Sequence, residues 1–131
     1  MEEGGTTLLE RLNFLLEEQA LRVAVEVRNR KVFYATHHGE LKEGELWTPL
    51  WKELPSGRRW LRHLESVRIS QWKKRYAAET PEDAAENWKL SLRVDGQKRL
   101  ITGNTYPENW ASFVDVMKEL PGVAMPKVNQ V

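Results

Sequence analysis

The chain has 131 residues, a net charge of +1, 40% hydrophobic and 30% charged residues, six tryptophans and no cysteine. That length predicts one domain over 1–131, with about 122–131 as a loose C-terminal tail. The missing cysteine excludes disulfides and thiolate zinc sites. No apolar run reaches bilayer length, and the first twenty residues lack a signal peptide's basic start and apolar block, so no membrane partner and a cytoplasmic location are expected.

Thr7 and Glu10 fit a capping box, and Leu8, Leu12, Leu15 and Leu16 follow helical spacing, so residues 8–19 read as an amphipathic helix. Leu21, Val23, Val25 and Val27 alternate with polar or small residues as a half-buried strand does. Arg28-Asn29-Arg30-Lys31 is the turn, and Val32 to Thr36 the returning strand. A polar connection over 39–46 follows.

Thr48-Pro49 reads as a helix start that Pro55-Ser56-Gly57 ends, placing Trp47 and Trp51 four residues apart on one face as core anchors. Trp60, Leu61, Leu64 and Val67 form the stripe of a second helix, and Ser70 caps a final turn through Trp72 to Tyr76. Residues 77–87 are an acidic loop with one helical turn beginning at Pro81. Trp88, Leu90, Leu92 and Val94 alternate into Asp95-Gly96, a strong hairpin signal, and the chain returns from about Lys98 to Thr102. Asn104 or Thr105 then caps a helix with Pro107 in its first turn. Its apolar face is Trp110, Phe113, Val114, Met117 and Leu120, with Tyr106 packed on it as a hydrophobic staple.

These elements predict an α+β domain: an antiparallel sheet of two β-hairpins with helices packed mainly on one face. The pattern Trp88-x-Leu90-x-Leu92, Asp95-Gly96, Gly103-Asn104-x-Tyr106-Pro107-x-Asn109-Trp110, preceded by Ile69-x-x-Trp72-x-x-x-Tyr76, resembles a motif in a family of small, functionally unassigned bacterial proteins. The resemblance covers about residues 60–120, though the acidic loop at 77–87 is longer than that family's pattern. It implies a compact α+β fold and carries no established activity to transfer.

No glycine-rich phosphate loop, nucleophile elbow or metalloprotease helix is present. His37-His38-Gly39-Glu40 is the one histidine and carboxylate cluster, and neighbours on a strand point to opposite faces. Glu82, Asp83 and Glu86 lie in a polar loop without an apolar frame to raise a pKa. A catalytic site, a metal and a cofactor are therefore not expected, and a small enzyme using His37 or His38 ranks third among the functions.

Charge is more informative. Arg58, Arg59, Arg62, Arg68, Lys73, Lys74 and Arg75 crowd a stretch whose one acid is Glu65, between an acidic N-terminus and the acidic loop. Trp60, Trp72 and Tyr76 are interleaved with them. The first expectation is a non-catalytic binding or accessory module of a bacterial or phage system, using these cations on a protein or ribonucleoprotein partner with an acidic surface. The alternative is a nucleic-acid-binding protein using the basic aromatic stretch 58–76.

Overall fold

A computed structural model describes residues 9–123. Within them, strands β1 (Leu9–Leu16), β2 (Leu21–Arg28), β3 (Lys31–His38), β4 (Lys52–Leu54), β5 (Arg75–Tyr76), β6 (Trp88–Val94) and β7 (Gln97–Gly103) form one sheet in the order β4-β3-β2-β1-β6-β7-β5. All neighbours are antiparallel except β5, which runs parallel to β7. Two helices, α1 (Gly57–Val67) and α2 (Trp110–Lys118), complete an α+β domain. Among the described residues no helix is long and apolar enough to cross a membrane.

The largest correction is β1, expected as a helix over 8–19. Leu12, Leu15 and Leu16 fit helical spacing, yet Leu12, Phe14 and Leu16 also fit a period of two, and all three are buried. Strand pairing on both sides decides between the two periods, because β1 bonds to β2 on one edge and β6 on the other. This central strand joins the β2–β3 and β6–β7 pairs into one sheet. The expected capping residue Thr7 lies outside the described residues.

The middle of the chain differs too. No helix begins at Thr48-Pro49; that segment has no regular structure and leads into β4, which pairs with β3. Pro55-Ser56-Gly57 therefore opens α1 instead of closing a helix. Trp47 and Trp51 are half-buried on the sheet face opposite the core rather than anchoring it: Trp47 lies 6.1 Å from the His37 ring, and the Arg28 guanidinium sits 5.8 Å from Trp51. Beyond α1, a 3-10 turn over Ile69–Gln71 and the short strand β5 replace the helical turn expected through Tyr76. Arg99 holds this segment down by donating to the carbonyls of Ser70 and Trp72.

The core is built on the aromatics. Phe14 of β1 meets Trp110 and Phe113 of α2 at 5.9 and 5.2 Å, while Trp88 of β6 lies 4.8 Å from Trp110. Three of the buried indoles, Trp60, Trp72 and Trp88, find acceptors for their polar N–H. Trp60 donates to Val116 O at 2.9 Å, tying α1 to α2, and Trp88 donates to Thr105 O at 2.9 Å.

The helix expected from Pro107 starts at Trp110, with Asn109 at the N-cap position and Pro107 in the turn before it. Neither Asn104 nor Thr105 caps it: the Asn104 side chain instead accepts from Ala78 N at 2.7 Å. Asn109 uses its amide elsewhere, accepting from Trp72 Nε1 at 2.8 Å and donating to Val67 O, which clamps the end of α1 to the start of α2. Tyr106 stacks on Trp110 at 4.7 Å, packing against the helix as a staple does. Of the expected tail, Gly122 and Val123 are held: His38 donates from Nε2 to Gly122 O at 2.9 Å, and Val123 is buried.

Candidate partner-binding site

The β2–β3 connection is a two-residue turn in which Asn29 and Arg30 both have positive φ, 49° and 66°, as a type I′ turn requires. The turn presents Arg30 and Lys31 beside the first turn of α1. The contact behind this is close: a Cβ on the buried Gly57 would stand 2.8 Å from Val32 Cγ2, so only glycine lets α1 start against β3. Arg30, Lys31, Arg58, Arg59 and Arg62 consequently line one depression of ≈ 570 Å³, with Glu53 as its one acid among the described residues. Among the described residues none of these five cations has an ion-pair partner.

Next to it, sharing Arg30 and Arg58, a cleft of ≈ 670 Å³ opens under α1. Val27, Leu61, Leu64, Leu92 and Val94 line it, and Arg68 and Glu65 stand at its far end. Several of these arginines sit where the backbone disfavours them. Arg30 and Arg68 both occupy the left-handed region, with φ of 66° and 60°, at a cost of about 1–2 kcal/mol for a residue bearing Cβ. Arg58 and Arg59 fall in the first turn of α1, which has no acidic residue, so they oppose the positive end of its dipole. Local stability would favour glycine or acids at these places.

The cations crowded in the stretch 58–75 are divided between these places. Arg58, Arg59 and Arg62 line the depression and Arg68 the cleft, whereas Lys73, Lys74 and Arg75 line neither. These last three are exposed around β5, at the far edge of the sheet. Arg30 and Lys31 escaped the sequence reading, which saw them only as turn residues. Two of the three interleaved aromatics face inward: Trp60 is 1% exposed and Trp72 4%, so neither offers a surface for stacking a base, while Tyr76 is half-buried. His37 and His38 point to opposite faces of β3, and among the described residues no group of three or more His, Asp or Glu could hold a metal.

The opposite end of the sheet is acidic. Glu17 and Glu18, in the β1–β2 turn, meet the loop before β6: Gln19 N donates to Glu86 Oε1 at 3.1 Å, and Asn87 N to Glu18 Oε2 at 3.0 Å. Burial pushes the Glu86 carboxyl above its ordinary value of 4.5; the Gln19 hydrogen bond opposes this, and the Glu18 charge adds to it. Tyr106 is raised as well, first by burial and then by the Glu86 charge. The near-neutral net charge therefore conceals a molecule with a basic and an acidic end.

Glu86 makes that arrangement measurable. Its folded pKa exceeds its unfolded one, so the native state binds more protons just above pH 4.5, and stability falls as pH rises through the folded pKa. Glu86→Gln keeps an acceptor for Gln19 N without the charge. It should melt slightly higher than the parent at pH 7, within about 0.5 kcal/mol, and the advantage should vanish at pH 4. A difference that is the same at both pH values would show that Glu86 does not carry this linkage.

No family model, curated protein or solved structure matches this chain.

Proposed function

We propose that the protein is a non-catalytic binding module of a bacterial or phage system, with its helices packed mainly on one sheet face and its basic end docking an acidic surface of a protein or ribonucleoprotein partner. The observation that carries this reading is the gathering of Arg30, Lys31, Arg58, Arg59 and Arg62 around one depression, without internal ion pairs among the described residues. Cations placed against a helix dipole and in left-handed backbone cost stability locally, which favours a role outside the fold. Direct nucleic-acid binding is the second reading. The same cations support it, but the burial of Trp60 and Trp72 leaves only the half-buried Tyr76 of the three aromatics in the stretch 58–76 for stacking.

Capture from a host extract, with and without nuclease, followed by salt titration of the recovered complex, separates the two. A protein partner should survive nuclease and lose affinity with salt only through slower encounter, by about ten- to a hundredfold between low salt and 1 M. A linear fall of log affinity with log salt, with a slope near −0.9 per phosphate contacted, would replace the first reading with the second.

A further inference from the structure

We propose that the cleft under α1 seats a bulky apolar side chain of an acidic peptide segment in the partner, whose flanking carboxylates meet Arg30 and Arg58 on one side and Arg68 on the other. This rests on the reading that the basic end docks an acidic protein, and it names the part of that protein that is recognised.

The core reaches the surface at this cleft. Among the described residues six apolar side chains are only partly buried while packing against the core, and four of them, Leu9, Val27, Leu61 and Val94, converge here. An apolar opening of this kind gains from a ligand that covers it. Charge complementarity selects which ligand. Arg30, Arg58 and Arg68 rim the opening, and Arg59, Arg62 and Lys31 lie in the depression that continues from it. A purely aliphatic ligand would leave these guanidiniums unused, and a purely acidic one would leave the apolar floor wet.

The spacing sets the pattern. Arg58 in the first turn of α1 and Arg68 just past its end are ten residues apart, about 15 Å of backbone at 1.5 Å per residue. An extended peptide covers that distance in about five residues at ~3.3 Å each. The segment therefore carries acids at both ends and one or two large apolar side chains between them. Among the described residues two carboxylates also reach the cleft. Glu10 is engaged, accepting from Gly96 N at 2.6 Å and pairing with Arg93. Glu65 has no ion-pair partner among the described residues, and it repels an incoming acid.

The backbone adds an independent argument. Arg30 and Arg68, at opposite sides of the cleft, both hold the left-handed conformation that glycine adopts without strain. Replacing them with glycine should relax the fold and disarm the site together.

The test uses the full chain and two fluorescein-labelled peptides read by anisotropy. One has two glutamates at each end with Leu-Phe between glycines; in the other, glycine and serine replace Leu-Phe. The first should bind about ten- to a hundredfold more tightly, as expected for one buried apolar side chain. Leu61→Lys adds a positive charge yet should erase this difference, and Glu65→Gln should tighten both peptides. Arg30→Gly with Arg68→Gly should raise the melting temperature and weaken both. If Leu61→Lys fails to fold, the comparison of the two peptides on the parent protein still decides.

Equal affinity for the two peptides, abolished by Arg59→Glu with Arg62→Glu, would sink the cleft while leaving the acidic-partner reading intact. Failure of both peptides alongside salt-sensitive binding of a fluorescent oligouridylate would sink both in favour of nucleic acid. A concentration-dependent dimer that Leu61→Lys dissociates would assign the cleft to a second copy of this chain and overturn the proposal.

Discussion

Trp110→Ala should lower the unfolding free energy by about 3–5 kcal/mol, the range for truncating a fully buried large aromatic. Trp110 is 1% exposed, and its ring contacts come from four separate parts of the chain: Phe14 in β1, Trp72 before β5, Trp88 in β6 and Tyr106 in the turn before α2. Stiff rings around the vacancy cannot collapse as aliphatic chains can, so the cavity term adds to the lost transfer energy. Set against the usual 5–15 kcal/mol of a small domain, the loss is large enough to leave a substantial unfolded fraction at moderate denaturant. Guanidinium titration by tryptophan fluorescence and far-UV circular dichroism measures it. Leu100→Ala serves as the control, since Leu100 is 56% exposed and should change stability by no more than about 0.5 kcal/mol. A Trp110→Ala variant within 1 kcal/mol of the parent would mean that this aromatic cluster does not hold the helix to the sheet.

The stretch Gly103-Asn104-Thr105-Tyr106-Pro107-Glu108-Asn109-Trp110 shows how far a sequence carries and where it stops. Its helix-start chemistry was readable, because proline and a staple aromatic act through neighbours in the chain. The clamps made by its asparagines were not. Asn104 and Asn109 satisfy Ala78, Trp72 and the α1 carbonyl of Val67, partners set by tertiary packing. Strands β2, β3, β6 and β7 were legible for the same local reason, with alternation bounded by the 28–31 turn and by Asp95-Gly96. The central strand β1 was not: its leucines satisfy two periods, and only β2 and β6 on either side choose between them. The site divides similarly. Arg58, Arg59 and Arg62 are visible as helix cations, but Arg30 and Lys31 join them only through the β2–β3 register and the close approach at Gly57.

Reversing Arg30, Arg59 and Arg62 to glutamate should slow association with an acidic partner about ten- to a hundredfold at low salt, within the range by which oriented charge accelerates encounter. All three side chains are exposed and without ion-pair partners among the described residues, so the fold should survive, as an unchanged circular dichroism spectrum and melting point would verify. The dissociation rate should change less, because exposed charges guide encounter more than they hold the docked complex. Raising the salt to about 1 M shortens the screening length from ~10 Å to ~3 Å and should bring parent and variant within a few-fold of each other. A second triple variant, Lys73→Glu with Lys74→Glu and Arg75→Glu, makes the same change in net charge at the β5 edge, outside both the depression and the cleft. If the site lies where the β2–β3 turn meets α1, this second variant should associate nearly as fast as the parent. Stopped-flow mixing with the captured partner at two salt concentrations reads both variants. Equal slowing by the two would mean that overall charge, and not the site formed by Arg30, Arg59 and Arg62, draws the partner in.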